Sequence, residues 1–353
     1  MPNGTWPNGI LVARNGIVWI VGTMSHTLIS FDPKQGKIIS SHPIITPEEE
    51  ANRTNPQSKQ GFQMVWSIIE GTDGSIWFPE GGSDPLWRFD PNTEKFQVIH
   101  SISAAPMQMK VDKRTGNIWF TTFGSGTFGV IQKMIGNKVN IKSNLNVNLT
   151  GPEYKVTEFN LGNDSFPSGI FLQGDPFNGY IANALTLSAD PNDNNKVWFT
   201  EFNHDKIGVL DRSPPIPFDI NSSASEITML SSPNNTAQKN ASSVAATLNL
   251  EVTTKKSFNS SSLINNNTKH NPTLIFLNTS SSMNPLGKFV NMTAKFYPTS
   301  IIDLNKNESG KAQSNIILQR NDSTPISLGN YTLGISATDG TVTKSIFRHL
   351  FVK

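Results

Sequence analysis

Two glutamates and two histidines have side chains and spacing suited to acid–base or metal chemistry. His204 follows Glu201 by three residues, His26 lies in the matching loop of an earlier repeat, and Glu80 and Glu201 each stand three residues after a tryptophan. A histidine near a carboxylate can act as a general base near neutral pH. Two carboxylates can bind a hard cation, or form a pair in which one pKa is raised. The alternative is that each glutamate accepts amide hydrogen bonds within its own loop and that the loop histidines are inert.

These residues belong to a hairpin that recurs along the chain. Its clearest copy is KVWFTEFNHDKIGVLD, Lys196 to Asp211, in which an aromatic and β-branched run, a polar patch and a second apolar run follow one another. Further copies start at Ile17, Ser75 and Asn117. The anchoring residues are Trp19, Trp77, Trp119 and Trp198, separated by 58, 42 and 79 residues. The spacing indicates a repeat of about forty residues.

Each repeat accommodates four antiparallel strands, which is the pattern of a β-propeller blade. The strands predicted for the first repeat are Asn8–Ala13, Val18–Gly22, Thr27–Phe31 and Lys37–Ser41, and those for the second are Gln63–Ile69, Ile76–Pro79, Leu86–Phe89 and Phe96–His100. The chain holds about four to five blades. The interval before Trp198 fits either a degenerate blade, in which Tyr154–Leu161 is an outer strand, or one blade with an insertion at Gly136–Gly179, which we favour.

Four to five blades suit a small ring or part of a larger one, since propellers have at least four blades and commonly more. We expect an incomplete ring whose upstream blades, and with them any signal peptide, are missing from this sequence. An open ring exposes an apolar blade face and an unpaired edge, which predicts self-association.

Composition changes after Asp211. All seven Trp precede residue 200, and only five of the 26 Gly follow residue 222. The predicted domains are blades at 1–211, a Pro-rich linker at 212–222 and an immunoglobulin-like β-sandwich at 223–353. Seven strands are predicted in the sandwich: Glu226–Leu230, Val244–Val252, Thr273–Leu277, Phe289–Phe296, Ser314–Leu318, Tyr331–Ala337 and Val342–Val352. Asp339-Gly340 predicts a hairpin turn before the last strand, and Tyr331 suits a tyrosine corner. The predicted fold class is all-β.

Charge and composition reduce the number of functions and locations to be expected for this chain. The net charge is +2 and the basic residues are scattered, so nucleic acid is not an expected partner. No apolar run is long enough for a transmembrane segment, and cysteine is absent. Asn-x-Ser/Thr occurs 14 times, with ten copies from Asn221 onward. We expect an extracellular or cell-surface glycoprotein; the alternative is a polar, solvated β domain without glycans.

The hairpin WFTEFNHDKIGVLD resembles the repeat of the virginiamycin B lyases, or streptogramin lyases. Further matches are Asp73–Phe78, Thr115–Thr121 and the inner-strand opening Pro7-Asn8-Gly9-Ile10. The resemblance covers about residues 1–211 and none of the C-terminal domain. It implies a Mg²⁺-assisted elimination that opens a cyclic depsipeptide at an ester linkage, with a histidine base and with Glu and His residues around the metal. On this resemblance, His204 and His26 are the candidate catalytic residues, and Glu80 and Glu201 the candidate metal ligands.

One departure from that family concerns the histidine expected near the opening of an inner strand. The openings here read Pro7-Asn8-Gly9-Ile10, Pro106-Met107-Gln108-Met109 and Ile181-Ala182-Asn183-Ala184, without histidine. We therefore expect a protein that binds a small molecule, glycan or surface protein through the loop face of its propeller, with the sandwich as a spacer or adhesion domain. The alternative is a Mg²⁺-dependent carbon–oxygen lyase. The acidic and amide turn Asp190–Asn195 can hold Ca²⁺ or be an ordinary Asp-Pro-Asn turn.

Overall fold

The computed structural model describes residues 4–44, 65, 67–79, 85–100, 106–122, 127–139, 151–160, 184–193, 196–201, 206–211, 218–224, 226–229, 244–254, 274–279, 292–298, 300–303, 311–320, 329–340 and 342–352. Every regular element among them is a β-strand, which confirms the all-β prediction. The chain divides into two compact units, Met1–Leu210 and Asp211–Lys353, called here the first and the second unit. Over the same described ranges, no helix is long and apolar enough to span a membrane.

The first unit is a succession of antiparallel sheets, each formed by consecutive strands. The first blade contains β1 (Pro7–Val12), β2 (Val18–Gly22), β3 (Thr27–Asp32) and β4 (Lys37–Pro43). The second contains β5 (Ile69–Glu70), β6 (Ile76–Pro79), β7 (Pro85–Asp90) and β8 (Lys95–His100). The third contains β9 (Pro106–Val111), β10 (Ile118–Thr122), β11 (Thr127–Val139) and β12 (Gly151–Asn160). The fourth contains β13 (Ala184–Ala189), β14 (Lys196–Glu201) and β15 (Lys206–Asp211).

These antiparallel meanders, of four strands in the first three blades and of three described strands in the fourth, are the predicted propeller-like blades. The predicted outer strand Tyr154–Leu161 coincides with β12, the fourth strand of the third blade. The inner strand predicted at Gln63–Ile69 is shorter among the described residues, where only Ile69–Glu70 is a strand. The favoured insertion at Gly136–Gly179 is therefore wrong in part, because β12 lies within it. Residues 161–183, where a further strand of a degenerate blade would lie, are outside the described part of the chain.

Neighbouring blades pack face to face in chain order through aromatic rings. The ring centroids of Trp19 and Phe89 lie 5.4 Å apart, joining the first two blades, and those of Trp77 and Tyr154 lie 5.2 Å apart, joining the second and third. Phe128 of the third blade lies 4.9 Å from Phe199 of the fourth. We call the face that a blade turns to the next blade its forward face, and the opposite one its backward face. Residues of β2, β6, β10 and β14 alternate between the two faces, as side chains of a strand must.

A phenylalanine and a glycine form a packing pair on the backward faces of the third and fourth blades. Phe120 pairs with Gly129 across β10 and β11, and a Cβ at Gly129 would lie 2.3 Å from the Phe120 ring. A Cβ at Gly208 would likewise lie 2.3 Å from the ring of Phe199. Glycine is therefore required there because the ring lies directly on the third strand. This explains why the repeat combines Trp-Phe-Thr with a glycine in the following strand.

The second unit encloses one hydrophobic core between two sheets. One sheet has the order β16 (Phe218–Ser222), β18 (Val244–Thr254), β22 (Lys311–Arg320), β20 (Met292–Tyr297). The other contains β21 (Ile301–Asp303), β19 (Leu274–Thr279), β23 (Gly329–Thr338), β24 (Val342–Val352) and β17 (Glu226–Met229), of which β17 and β24 run parallel. The core includes Phe218, Leu250, Val252, Ile275, Ile316, Ile335, Ile346 and Leu350. The immunoglobulin-like topology stays a prediction.

All seven strands predicted in this region overlap observed strands, and two others were not predicted. Residues Phe218–Ser222, assigned above to the linker, form β16, because Phe218 and Ile220 alternate into the core. Ile301–Asp303 is a three-residue strand that pairs with β19. The predicted Asp339-Gly340 hairpin turn is confirmed: Gly340 has φ 89°, and the Val342 N–H donates to Asp339 Oδ1 at 2.8 Å.

Candidate functional site

The structure describes the four predicted site residues unequally. Glu80 and His204 lie outside the described residues. Glu201 is the last residue of β14, where its backbone pairs with Ala184, and its side chain is not described. His26 lies in the turn between β2 and β3 with φ 48°; its side chain is buried, and its carbonyl accepts a hydrogen bond from Ile44 N at 2.8 Å. Whether the four residues meet therefore stays a prediction.

In two blades the structure describes both the residue three positions after the anchoring tryptophan and its neighbours. These residues are Gly22 and Thr122. A Cβ on Gly22 would lie 2.4 Å from Ser25 Oγ, so this position has no room for a side chain. Thr122 is buried, and its hydroxyl donates to Thr127 O at 2.6 Å and lies 2.9 Å from Thr127 Oγ1. In both blades, therefore, the position serves the hairpin itself.

The threonine of the Trp-Phe-Thr motif has a structural role next to a bulge in the inner strand. The pairing of β9 with β10 is interrupted between Phe120 and Thr122, and that of β13 with β14 between Ala184 and Leu187. Thr121 Oγ1 accepts a hydrogen bond from Gln108 N at 3.2 Å, and Thr200 Oγ1 accepts one from Thr186 N at 3.3 Å. An inner-strand amide near each bulge is thereby hydrogen-bonded to the threonine instead of to a ladder partner.

The first blade presents two large apolar side chains at the end where β2 turns into β3. Trp6, just before β1, is 70% exposed, and Met24, in the turn, is 50% exposed. The Trp6 backbone is fixed, because its carbonyl accepts hydrogen bonds from both Thr23 N at 3.1 Å and Thr23 Oγ1 at 2.8 Å. Its φ of 47° lies in the left-handed region, which is uncommon for a bulky residue and marks sites worth a functional test.

Hydroxyl groups surround this turn. Ser25 Oγ lies 2.6 Å from Thr27 Oγ1 and donates to Gly22 O at 3.4 Å. Together with Trp6, the segment Gly22–Thr27 forms what we call the first-blade mouth. It combines a fixed, exposed indole with an exposed thioether and exposed hydroxyls. Such a combination suits a ligand that has both an apolar face and hydrogen-bonding groups. Spacing measured from the repeat tryptophans did not indicate Trp6, because Trp6 precedes the repeat.

The opposite end of the blades holds polar groups that stabilise the fold. Arg88 is buried and binds Asp73 Oδ2 at 3.0 Å, while Asp73 Oδ1 accepts from the Ser75 hydroxyl, which in turn accepts from Trp77 Nε1 at 2.8 Å. Burial raises the pKa of Asp73, but the hydrogen bonds from Ser75 and Arg88 outweigh it and hold that pKa below its ordinary value. Burial raises the pKa of Tyr154, which packs on Trp77. This network therefore contains an ionised carboxylate and a neutral phenol.

The turn considered above as a Ca²⁺ site has hydrogen bonds typical of an Asp-Pro-Asn turn. Asp190 Oδ1 accepts from Asn192 N at 2.8 Å and Asp193 N at 3.1 Å, and Asp190 Oδ2 accepts from Trp198 Nε1 at 2.9 Å. The hydrogen bond from the Trp198 indole contributes most to lowering the pKa of Asp190. Among the residues that the structure describes, no group of three His, Asp or Glu is placed to hold a metal ion.

Comparisons with known proteins concern the fold. No family model and no curated protein matches the sequence. A solved streptogramin B lyase is similar to this chain at 15% identity and a TM-score of 0.40, over 99% of this chain and 95% of the lyase. A catalytically inactive virginiamycin B lyase from Staphylococcus aureus with quinupristin is similar at 15% identity and a TM-score of 0.37, over 98% and 97%.

The extracellular domain of BT4673 from B. thetaiotaomicron is similar at 12% identity and a TM-score of 0.36. This match covers 100% of the present chain and 38% of that solved chain, so the present chain spans less than half of it. Such identities and TM-scores express a resemblance between β folds, and they say nothing about catalytic residues.

Proposed function

We propose that this protein is an extracellular or cell-surface binding protein whose propeller-like unit takes a ligand at the loop end of its blades. The ligand class that fits best is a glycan, because a sugar ring offers apolar C–H groups to an indole and hydroxyls to serine and threonine. The second unit serves as a spacer or adhesion domain. Its wealth of Asn-x-Ser/Thr sequences supports a location outside the cell.

The exposed Trp6 carries this proposal. A tryptophan that is mostly exposed gains little from burial in the fold, yet its backbone is held by two hydrogen bonds in a left-handed conformation. Rigid aromatic side chains bind ligands at a low cost in conformational entropy. Met24, exposed in the neighbouring turn, supplies an adaptable apolar contact.

The Mg²⁺-dependent lyase stays the alternative that the resemblance implies, with Glu80 and Glu201 as its metal ligands and His204 and His26 as its bases. Two positions equivalent to these glutamates in other blades are described. Gly22 lacks room for a side chain, and the Thr122 hydroxyl donates a hydrogen bond within its own hairpin. These positions favour a structural role for a side chain three residues after the tryptophan.

The test is a glycan microarray probed with the purified chain, followed by affinity measurements on the glycans retained. We expect Trp6→Ala to weaken binding at least about tenfold, or roughly 1.4 kcal/mol, and Trp6→Phe to weaken it less. The matched control is Tyr297→Ala, because Tyr297 is similarly exposed but lies in the second unit. Equal affinity of Trp6→Ala and the unmodified chain, or no retained glycan, would contradict the proposal.

A parallel assay addresses catalysis. The chain is incubated with Mg²⁺ and a streptogramin B type cyclic depsipeptide, and the linear product is followed by chromatography. We expect no turnover. Turnover that disappears in Glu201→Gln would support the lyase alternative instead.

A further inference from the structure

Two serine hydroxyls and an imidazole form a hydrogen-bonded row across the outer strands of the first blade. Ser40 and His42 are two residues apart in β4, so their side chains leave the strand on the same side. Ser40 Oγ lies 2.8 Å from His42 Nε2, and Ser30 Oγ of β3 lies 2.5 Å from Ser40 Oγ. A serine hydroxyl that contacts an imidazole nitrogen is the arrangement of a nucleophile beside its general base.

This row lies on the forward face of the first blade, where the second blade packs. Ser30 pairs with Trp19 on one side and with Ser40 on the other, and cross-strand partners share a face. The centroid of the His42 ring lies 4.7 Å from that of Phe89 in the second blade and 6.3 Å from that of Trp19. Because both of these aromatic residues are buried in the core, they hold the imidazole in a fixed position.

The imidazole is in the right state to accept a proton. Burial lowers the pKa of His42 from its ordinary value, and the negative charge of Glu94, in the turn between β7 and β8, offsets part of this change. His42 is therefore neutral near pH 7, and with its ring proton on Nδ1 it accepts a hydrogen bond from the Ser40 hydroxyl at Nε2. Once His42 has taken a proton, the charge of Glu94 stabilises the imidazolium ring.

The buried Ser30 orients the hydroxyl group of Ser40. When Ser40 donates to His42, the Ser30 hydroxyl donates to Ser40 Oγ, because each of the two oxygens carries one proton. This second hydrogen bond holds the Ser40 oxygen in place and leaves one of its two lone pairs for attack. Ser30 is thus a positioning residue, whereas Ser40 and His42 contact the reacting atoms.

A β-bulge directly precedes Ser40. The pairing of β3 with β4 skips Ile39, since Ser30 pairs with Ser40 and Phe31 pairs with Ile38. β4 is the outermost strand of its sheet, Ile39 is exposed and Ser40 is half-buried, so a small molecule can reach the hydroxyl from the rim of the blade. A bulge leaves its extra residue outside the ladder, and backbone N–H groups at such an edge are suitable donors to the oxygen of an attacked carbonyl.

We propose that Ser40 is a nucleophile with His42 as its general base, and that it takes an acyl group from carboxylic esters of small acids. Ser40 Oγ attacks the ester carbonyl carbon while its proton passes to His42 Nε2. The bond from that carbon to the alcohol oxygen then breaks, and the alcohol leaves with the proton. A water molecule, deprotonated by His42, releases the acid and restores the Ser40 hydroxyl.

The size of the acyl group follows from the half-buried position of Ser40 beside the second blade. The reaction as written uses no metal ion, and it does not rest on glycan binding at the first-blade mouth. It is therefore separable by experiment both from the proposed binding function and from the Mg²⁺-dependent lyase.

The first test is acylation of the full chain by p-nitrophenyl acetate in the presence of EDTA. Release of p-nitrophenol is followed by absorbance, and the acetyl group is located by peptide mass spectrometry. We expect the acetyl group on Ser40, and a rate at least about tenfold lower in Ser40→Ala and in His42→Phe. The variant His42→Phe keeps an aromatic ring beside Phe89, and tryptophan fluorescence would verify that it folds.

The matched control for acylation is Ser41→Ala. Ser41 is the adjacent serine in β4, is exposed and lies on the opposite face, where it pairs with Ile29. Its variant should react at the rate of the unmodified chain. An unchanged rate in Ser40→Ala or in His42→Phe, or an acetyl group found only at other residues, would overturn the proposal.

A cysteine exchange tests the activation by His42 separately from turnover. The chain contains no cysteine, so Ser40→Cys and Ser41→Cys each introduce a single thiol. A thiol beside an imidazole forms its reactive thiolate at a lower pH than a free thiol, whose pKa is about 8.5.

We expect Ser40→Cys to react with iodoacetamide below pH 7 at least about tenfold faster than Ser41→Cys, although Ser41 is the more exposed position. Adding His42→Phe should remove this advantage. Equal rates for the two thiols, or an advantage that survives His42→Phe, would show that the imidazole does not activate the group at position 40 and would overturn the proposal.

Discussion

The third and fourth blades carry the same Trp-Phe-Thr motif, but the two tryptophans have different surroundings. Trp119 is fully buried and stacks on Phe159 with the ring centroids 6.0 Å apart. Trp198 is exposed, and its indole N–H donates to Asp190 of its own blade. In both blades the phenylalanine that follows lies on a third-strand glycine.

The difference separates what the motif does within a blade from what it does between blades. In both blades the phenylalanine packs on the third-strand glycine, and the threonine accepts a hydrogen bond beside the inner-strand bulge. Only the tryptophan changes its surroundings, because only its packing requires a following blade. A match to the motif therefore reports the blade fold first, and chemistry at the loop end is a separate question.

The largest expected effect is that of removing the buried tryptophan. Trp119→Ala should cost about 4 kcal/mol of unfolding free energy, because it opens a large cavity, whereas Trp198→Ala should cost about 1 kcal/mol because the ring is partly exposed. Since all seven Trp lie before residue 200, fluorescence during denaturant unfolding reports the first unit for both variants. Similar losses for the two variants would mean that Trp198 is enclosed as Trp119 is.

The glycine under the phenylalanine should be equally sensitive in both blades. Gly129→Ala and Gly208→Ala each place a Cβ 2.3 Å from a buried ring, and each should cost about 2 kcal/mol through overpacking. Stability is measured by the same unfolding assay. Adding Phe120→Leu to Gly129→Ala removes part of the ring and should recover part of the loss. A neutral Gly208→Ala would show that the pair is not a common feature of the two blades.

The aspartates of the turns in the third and fourth blades, Asp112 and Asp190, should differ in how much they contribute to stability as the pH falls. Asp112 is buried and accepts from Thr115 Oγ1 at 2.8 Å and Arg114 N at 3.0 Å. Burial raises the pKa of Asp112, but these hydrogen bonds outweigh it and lower that pKa. The stabilisation is therefore present above the unfolded pKa of about 3.9 and is lost as pH falls through the lower folded pKa.

Asp112→Asn should cost about 1 kcal/mol at pH 7, after allowance for solvent screening, and the difference from the unmodified chain should narrow below pH 4. Urea unfolding at several pH values measures it. Asp190→Asn, at the less buried equivalent in the fourth blade, is the comparison variant and should show a smaller change. A difference for Asp112→Asn that stays constant down to pH 2 would contradict the assignment.

The smallest effect concerns the arginine that joins the two blades. Arg114 donates to Asp190 O and Pro191 O at 2.7 and 3.2 Å, and its side chain is partly exposed. Arg114→Ala should cost about 0.5 to 1 kcal/mol. Hydrogen exchange should detect it as faster exchange in β13 and β14, because these hydrogen bonds join the fourth blade to the third. Unchanged exchange there would show that the arginine does not hold the blade.

Much of the fold could be predicted from periodicity, and less of the site. The alternation of Ile17–Gly22 and the turn Asp32–Gly36 place the first-blade strands within two residues of their observed ends. The strand Phe218–Ser222 was not predicted, because prolines precede it and its partner β18 lies some thirty residues away. The crowding at Gly22 and the exposure of Trp6 depend on neighbours that a repeat pattern does not specify.

The most direct test of this account is fluorine NMR of the chain labelled with 5-fluorotryptophan, with the resonances assigned by single Trp→Phe variants. The solvent isotope shift of each resonance reports the exposure of its ring. We predict a clear shift for Trp198 and none for Trp19, Trp77 or Trp119, because only the first of these rings is exposed. A Trp198 resonance without a shift, or a clear shift for Trp119, would contradict the comparison of the third and fourth blades.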